Sequence, residues 1–256
     1  MRSGERLPLV LMLHGCGQDA DRFARLTRMN RLAARERFVV AYAEQDRFSH
    51  GQRCWHWYGI RSRRAFAEAG ILLAAVEQTC LLHPADPGRV AVVGLSAGAG
   101  MAAVLAVRYA TRFRALVMHS GVPPGMADTA AAAIRAMRGD LSVREATAPT
   151  AWPPLLVIQG AADGVVAPVN GEAAATLWAN AGGARPRTRR RVQRGGRHAV
   201  LVTDYLAGKR LVARLALVEG LGHAWSGGLA TEQYGDPAGP DASRMAWTFI
   251  ARRLQA

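Results

Sequence analysis

The sequence predicts a doubly wound α/β fold, in which a mostly parallel sheet is covered by helices on both faces. Short apolar runs alternate along the chain with longer segments of helical periodicity, as in repeated strand–helix units. Most of these runs are apolar throughout, whereas a half-exposed antiparallel strand would alternate apolar and polar residues. The length of 256 residues suits one large α/β domain, so a single domain is expected over residues 1–256.

Six runs are predicted to be strands, and five segments are predicted to be helices. The strands are Leu7–Leu13, Phe38–Ala43, Arg89–Gly94, Ala115–His119, Leu155–Gln159 and Leu211–Val218. The helices are Asp21–Arg35, Ala67–Leu82, Ala97–Tyr109, Gly171–Ala181 and Asp241–Leu254. Ligands of such sheets bind beyond the carboxyl ends of the strands. The residues that directly follow each strand are therefore the first candidates for a functional site.

Basic residues outnumber acidic ones, but their distribution argues against a nucleic-acid site. The chain has 33 Lys+Arg and 19 Asp+Glu, a formal net charge of +14, and its one lysine is Lys209. The densest basic run, residues 185–197, holds seven arginines and no aromatic residue on which a base could stack. A solvent-exposed strand or loop is the better interpretation of this run, and no nucleic-acid partner is expected.

Membrane segments, export signals and metal sites are not predicted. No run approaches the roughly 18–20 apolar residues that cross a bilayer, and the first residues lack the apolar stretch of a signal peptide. A truncated or processed chain is equally consistent with a first strand so close to Met1, so the localisation stays open. The cysteines, Cys16, Cys54 and Cys80, are too few and too irregularly spaced for a zinc site.

The strongest chemical signal is a serine in a tight turn between a strand and a helix. The segment GLSAG at residues 94–98 follows the third predicted strand and precedes an alanine-rich helix. The sharp backbone of such a turn leaves no room for side chains at the two glycine positions. The turn exposes the hydroxyl and points the free N–H groups of the helix N-terminus at the reacting centre. Ser96 is therefore the predicted nucleophile; the alternative is a purely structural turn.

A serine nucleophile needs a base, and the base needs an acid that orients it. In this arrangement the acid follows the serine in the chain and the histidine comes last. Asp163 follows the fifth predicted strand and His223 follows the sixth, so they are the predicted acid and base. Their alternatives are a turn aspartate beside Gly164 and a loop histidine without a task. The remaining candidates fit less well: Asp204, Asp236, His50, His56, His83, His119 and His198.

The loop after the first strand, LHGCGQ at residues 13–18, is predicted to help hold the oxyanion. Acyl transfer places negative charge on a substrate oxygen, which two N–H groups can stabilise: one from the residue after the nucleophile and one from this loop. The backbone N–H groups of Ala97 and Cys16 are assigned to these roles. His14 precedes the serine, which is the wrong order for the base, so we expect it to brace the loop.

A cluster of aromatic residues, RCWHWY at residues 53–58, lies in the long loop after the second predicted strand. Loop aromatics can form a satellite core, but several beside a cleft can also bind an apolar polymer or an aryl ester. On the second interpretation Trp55, Trp57 and Trp225 bind substrate. A Cys16–Cys54 disulfide would tie this loop to the oxyanion loop, whereas a reducing compartment would keep both thiols free.

These motifs, in this order, resemble the poly(3-hydroxybutyrate) depolymerase family of esterases, which is related to feruloyl and acetylxylan esterases of the α/β-hydrolase fold. The resemblance spans nearly the whole chain and is carried by LHGCGQD at 13–19, TRMN at 27–30, QRCWHWY at 52–58, GLSAG at 94–98, HSGVPPG at 119–125, APVNG at 167–171, GHAWSGG at 222–228 and GDPAGPDASR at 235–244. It implies Ser96 as nucleophile, Asp163 as orienting acid and His223 as general base, in agreement with the interpretation of the residues themselves.

The resemblance implies a serine esterase that acts on small-molecule or polymeric carboxylic esters. Poly(3-hydroxybutyrate) or its oligomers are the first expectation, and feruloyl or acetylxylan-type esters are the alternative. A serine peptidase would share the triad, and a nucleic-acid-binding protein with a vestigial serine turn would lose affinity steeply with salt. The resemblance implies no metal or organic cofactor and suggests an extracellular location.

The chain also departs from the family pattern. Relatives usually have a polar residue at Gly17, asparagine at His56 and glycine at Ala99, and these changes bear on substrate preference more than on the triad. Relatives also tend to carry strands before the first predicted strand, where this chain has almost nothing. We therefore expect a sheet edge that is covered by a loop, a partner chain in an oligomer, or missing sequence.

Overall fold

A nine-stranded, mostly parallel sheet forms the centre of the structure. The computed structural model describes residues 4–140 and 151–255. The strands of this sheet are β1 Leu7–Leu13, β2 Val39–Ala43, β3 Ala85–Leu95, β4 Ala115–His119, β5 Leu155–Gly160, β6 Arg185–Pro186, β7 Arg190–Val192, β8 Val200–Ala207 and β9 Arg210–Val218. Their order across the sheet is β2-β1-β3-β4-β5-β9-β8-β6, with β7 also paired to β8. A separate parallel pair consists of β10 Trp225–Ser226 and β11 Gly235–Asp236.

Helices cover both faces of the sheet, which confirms the predicted fold class. The described residues form α1 Ala20–Thr27, α2 Met29–Glu36, α3 Arg64–Leu82, α4 Ala97–Arg108, α5 Ala130–Met137, α6 Val169–Ala181 and α7 Ala242–Leu254. One apolar cluster joins the sheet to α3, α4 and α6, and a second joins its other face to α1, α2 and α7. The all-apolar strands fit this arrangement because both of their faces are buried.

The parallel strands bring their carboxyl ends to one edge of the sheet. Leu13 at the end of β1 pairs with Gly94 in β3, and Leu95 pairs with His119 at the end of β4. The strands β5 and β9 run parallel to these and end at Gly160 and Val218. The loops that follow β1, β3, β5 and β9 therefore lie side by side, where ligands of such sheets bind.

The segment predicted as one helix over Asp21–Arg35 is two helices, α1 and α2, so that prediction was wrong at its centre. Arg28 separates them in the left-handed region, with φ 52°. Its guanidinium donates a hydrogen bond to the Gly227 carbonyl, and the Thr27 hydroxyl accepts one from the Met29 N–H that the break leaves without a helical partner. A tertiary contact thus overrides the continuous helical periodicity of the sequence.

Strand β8 was not predicted, because polar residues interrupt its sequence. It forms an antiparallel hairpin with β9 and leaves Asp204 opposite Arg214. The Asp204 carboxylate also forms an ion pair with Arg190 of β7. The arginine-rich run at residues 185–197 forms β6, β7 and their loops at this edge, and it is largely exposed, as expected.

The expectation that no segment resembles a membrane span was wrong for helix α3. By length and composition alone it is long and apolar enough to cross a bilayer. It packs against α4 in this structure, with a buried stripe of Ala65, Ala69, Leu72, Val76 and Cys80. Its exposed apolar side chains include Ile71, Leu81 and Leu82. One such helix is also what the core of a globular α/β fold produces, since both kinds of helix are rich in apolar residues.

The N-cap of α7 provides a test of how this helix is stabilised at its start. The Asp241 carboxylate accepts a hydrogen bond from the Arg244 N–H at 3.0 Å. We expect Asp241→Ala to lower the free energy of unfolding by about 1 kcal/mol, because an N–H at the helix start loses its acceptor. Asp241→Asn keeps an acceptor and should lose much less. Urea denaturation with an unchanged m-value measures both, and equal losses would contradict the capping role.

Candidate active site

Ser96 lies in the turn between β3 and α4 with a backbone that few residues other than glycine adopt. Its φ is 55° and its ψ is −120°. A Cβ atom at Gly94 would lie 2.2 Å from the Gly98 carbonyl oxygen, and one at Gly98 would lie 2.2 Å from the Leu13 carbonyl oxygen. Both glycines of the GLSAG segment are therefore required by backbone contacts. The turn holds the serine hydroxyl at the carboxyl edge of the sheet.

The three residues predicted as a triad form a hydrogen-bonded series in which His223 lies between Ser96 and Asp163. His223 Nε2 is 3.0 Å from Ser96 Oγ, and His223 Nδ1 is 2.8 Å from Asp163 Oδ2. With a proton on Nδ1, the imidazole donates to the carboxylate and leaves Nε2 free to accept the serine proton. This is the arrangement that activates a serine nucleophile.

The Asp163 carboxylate is buried but well supplied with donors. Its Oδ1 accepts hydrogen bonds from the N–H groups of Val165 and Val166, at 3.0 Å and 2.8 Å. Its Oδ2 accepts one from Gln159 Nε2 at 3.2 Å in addition to the imidazole of His223. Burial by itself would raise the pKa of Asp163, but the hydrogen bonds and the charge of His223 outweigh it, and the pKa is lowered. Asp163 therefore stays ionised beside His223.

The backbone N–H groups of Cys16 and Ala97 donate no hydrogen bond to any described residue. Ala97 is the first residue of α4, where a helix leaves its N–H groups free. His14 lies behind the Cys16 loop: its Nε2 accepts the Gln45 N–H, which leaves the proton on Nδ1 to donate to the Gly15 carbonyl. Burial lowers the pKa of His14, and a neutral ring suits both bonds.

A disulfide joins the two loops beside Ser96. Cys16 and Cys54 are bonded, so the structure contains the predicted bridge between the oxyanion loop and the aromatic loop. The indole N–H of Trp55 also donates to the His14 carbonyl at 3.0 Å. The aromatic loop is thus attached to the oxyanion loop at two points.

A cleft of about 340 Å³ opens next to the serine. It is lined by Cys16, His50, Gln52, Cys54, Trp55, Trp57, Tyr58, Ser96, Ala97, Val122, Ala130, Ala133, Ile134, Met137 and Val166. Two of the tryptophans predicted to bind substrate therefore border it, although Trp55 and Trp57 are largely buried. No Asp, Glu, Lys or Arg occurs among these described lining residues. The cleft accordingly favours an uncharged ligand.

Trp225 does not lie in the cleft, which corrects its assignment as a substrate-binding residue. It is 1% exposed and packs edge-on against Phe23 on the α1 face of the sheet. Its indole N–H donates to the Ser243 hydroxyl at 3.2 Å. Its position two residues after His223 suggested proximity to the cleft, but the β10–β11 pair directs the ring into the core.

Helix α5 is a part of the cleft wall that the sequence analysis missed. Ala130, Ala133, Ile134 and Met137 all come from it. The sequence signal that could have found α5 was Thr129, whose hydroxyl accepts the Ala132 N–H as an N-cap ahead of an alanine run.

The alternative acids do not contact His223. Asp204 on β8 pairs with Arg190 and Arg214, and Asp236 pairs with His198. Within the described ranges no group of three or more His, Cys, Asp or Glu side chains could hold a metal ion.

Residues 2–193 match the protein family described as esterase PHB depolymerase. The chain belongs to this family. It is 29% identical over 179 residues to poly(3-hydroxyalkanoate) depolymerase C of Paucimonas lemoignei, covering 64% of this chain and 42% of that protein. It is 30% identical over 119 residues to feruloyl esterase B of Neurospora crassa, covering 44% of this chain and 39% of that protein. The matched segments thus span less than half the length of these esterase-family relatives.

Solved structures share the fold of this family member. An acetyl xylan esterase from Aspergillus awamori superposes with a TM-score of 0.68 at 18% identity, covering 97% of this chain and 90% of that one. A carboxylesterase from Bacillus cereus superposes with a TM-score of 0.57 at 14% identity, covering 96% and 89%. At these identities the likeness establishes the α/β-hydrolase fold alone.

The lowered pKa of Asp163 predicts how stability depends on pH. An unfolded aspartate titrates near pH 4, and the folded group titrates lower, so its contribution is complete above about pH 4 and is lost as the pH falls through the folded pKa. We expect Asp163→Asn to be less stable than the wild type at neutral pH, with a difference that shrinks on acidification. Denaturant unfolding from about pH 7 to about pH 3 measures it.

The exposed Asp21 provides the matched control for this measurement. Asp21→Asn should show a small difference from the wild type at both ends of the pH range. A stability difference for Asp163→Asn that is the same at neutral and acid pH would contradict the assigned carboxylate.

Proposed function

We propose that the protein is a serine esterase with poly(3-hydroxybutyrate) or its oligomers as substrate. The observation that carries this proposal is the hydrogen-bonded series of Ser96, His223 and Asp163 at the mouth of an uncharged cleft. Membership of an esterase family and the likeness to a poly(3-hydroxyalkanoate) depolymerase support the reaction class and the substrate class.

The proposed reaction is a two-step acyl transfer. His223 Nε2 takes the proton of the Ser96 hydroxyl as the serine oxygen attacks the ester carbonyl. Negative charge then develops on the carbonyl oxygen, and the N–H groups of Cys16 and Ala97 stabilise it. Asp163 stabilises the imidazolium that forms. The tetrahedral intermediate collapses, and His223 returns the proton to the leaving alcohol.

Water releases the acyl group in the second step by the same route. His223 removes a proton from water as its oxygen attacks the acyl-enzyme, and it then protonates Ser96 when the acid departs. No step uses a group other than these side chains, backbone N–H groups and water.

The lining of the cleft supports an uncharged ester as substrate. An apolar wall with few polar groups is typical of small-molecule sites, and a volume of about 340 Å³ is at the lower end of their range. A short hydroxyacyl unit with its methyl group fits such a wall. Carbohydrate esters are the second candidate, because feruloyl esterase B of Neurospora crassa matches at a comparable identity, 30%, although over 119 residues against 179 for the depolymerase of Paucimonas lemoignei.

The disulfide supports an oxidising compartment as the working location. Disulfides persist outside the cytosol and are rare within it. The bond between Cys16 and Cys54 is therefore expected to form and persist in such a compartment.

Replacement of the nucleophile tests the proposed chemistry. We expect Ser96→Ala to lower kcat/KM for p-nitrophenyl acetate by at least about 1000-fold, because the acyl-enzyme cannot form. A fluorophosphonate probe should label the wild type at Ser96 alone, as located by mass spectrometry of the peptides, and should not label the variant.

Ser49→Ala is the matched control, since this serine is exposed and lies outside the proposed machinery. It should turn over the ester and take up the probe like the wild type. Labelling at another residue, or full turnover by the Ser96 variant, would overturn the assignment.

A panel of esters tests the substrate class. We expect a higher kcat/KM for 3-hydroxybutyrate oligomers than for methyl ferulate or acetylated xylan. The physical reason is that no charged side chain lines the wall to bind sugar hydroxyls, and that a volume of about 340 Å³ leaves less room for a feruloyl group than for a short hydroxyacyl unit. The released acids are quantified by chromatography, with the Ser96→Ala variant as the blank. A preference for feruloyl or acetylxylan esters would favour the second candidate.

A further inference from the structure

We propose that His119 is a positioning residue that holds Ser96 and the segment after His223 in a fixed mutual arrangement. This inference rests on the proposed function, because it assigns a further residue to the same reaction. His119 is the last residue of β4, next to the strand that carries Ser96, and it is fully buried. It is not a catalytic residue, since it does not line the cleft and both of its ring nitrogens bond to other residues, Ser120 and Ser226.

The backbone of His119 contacts the nucleophile directly. The Ser96 N–H donates a hydrogen bond to the His119 carbonyl at 2.8 Å. Ser96 has a φ of 55°, a conformation that costs roughly 1–3 kcal/mol unless the surroundings enforce it. This bond is one of the contacts that enforce it. It depends on the main chain, so it survives substitution of the side chain.

The side chain of His119 contacts the segment that carries the base. Its ring stacks on Trp225, with centroids 4.9 Å apart and planes at 26°. Its Nε2 accepts a hydrogen bond from the Ser226 N–H at 3.1 Å. Trp225 and Ser226 follow His223 by two and three residues, so the ring fixes the chain directly after the base.

The two polar contacts of the ring determine its protonation. Because Nε2 accepts from a backbone N–H, the proton of the neutral ring is on Nδ1, where it donates to the Ser120 hydroxyl at 3.1 Å. A proton on Nε2 would face the Ser226 N–H, and two hydrogen-bond donors would then repel each other. Burial, followed by the charge of His223, lowers the pKa of His119 to about 3, and Asp163 opposes this only partly. The ring therefore stays neutral while His223 gains and loses its proton.

The unusual feature is that one residue contacts both halves of the site. The carbonyl of His119 holds the nucleophile, and its ring holds the chain next to the base. A shift of the ring contact would move His223 relative to Ser96 without altering the serine turn. Displacements of about 1 Å between reacting groups can cost about 100-fold in rate.

Two substitutions at His119 separate positioning from bulk packing. His119→Phe keeps a ring against Trp225 but removes the acceptor of the Ser226 N–H. His119→Gln places a side-chain oxygen near the position of Nε2 and keeps an acceptor. We expect His119→Phe to lower kcat for p-nitrophenyl acetate by about 10- to 100-fold with KM changed less than about twofold. His119→Gln should recover most of that loss.

Val117→Ala is the matched control on the same strand and the same face of the sheet. It opens a cavity in the core without touching a polar contact, so it should lower the unfolding temperature and leave kcat near that of the wild type. Equal activity of folded His119→Phe and wild type would overturn the proposal, as would equal losses in the Phe and Gln variants. Loss of kcat by Val117→Ala in step with its loss of stability would also overturn it.

A measurement on the unmodified protein covers the case in which His119→Phe does not fold. Two-bond ¹H–¹⁵N spectra of the histidine rings should show a neutral ring with its proton on Nδ1 from about pH 5 to about pH 8. His14 has the same tautomer, so the signal of His119 is assigned by its absence in His119→Gln. A charged ring or a proton on Nε2 would contradict the proposal. Full turnover by Ser96→Ala would instead reject the proposed function, so the two failures are distinguishable.

Discussion

The close approach of the β3–α4 turn to the end of β1 is the contact on which the site depends. Gly98 packs its α-carbon against the carbonyl groups of Leu13 and His14, and any Cβ atom there would overlap them. Leu13 is also the first residue of the loop at residues 13–18, which contains Cys16. One backbone contact therefore sets the distance between helix α4 and the Cys16 N–H group of the proposed oxyanion site. Such precision is needed because these N–H groups act only at about hydrogen-bonding distance from the developing charge.

The aromatic loop at residues 53–58 holds the loop after β1 in place, and so supports the contact between Gly98 and the end of β1. The Cys16–Cys54 disulfide and the Trp55 hydrogen bond to His14 attach it to the oxyanion loop. His56 and Gln45 both donate hydrogen bonds to the half-buried Glu68 carboxylate. Trp57 packs against Gly100 of α4, where a Cβ atom would lie 2.9 Å from the indole. The tryptophans of this loop thus border the cleft with one edge and anchor the loop with the rest.

The basic character of the chain is separate from its chemistry. Arg190 and Arg214 pair with Asp204, and Arg191 pairs with Glu219, all at the β7–β8–β9 edge of the sheet. Ion pairs at a solvent-facing edge contribute little to stability, so they neither explain the fold nor define a site. No arginine of the described ranges 4–140 and 151–255 lines the cleft.

The sequence by itself determined the fold class, the parallel strands and the segments that lie at their carboxyl ends. These follow from local rules: apolar runs mark strands buried on both faces, and a glycine-flanked serine marks a strand–turn–helix. Only the tertiary structure decided features that depend on distant partners. The break at Arg28 needs the Gly227 carbonyl, β8 needs Arg214 opposite Asp204, and Trp225 turns into the core because β10 pairs with β11. No run of adjacent residues encodes these contacts, because the partners lie 10 residues apart in the hairpin of β8 and β9 and 199 residues apart at Arg28.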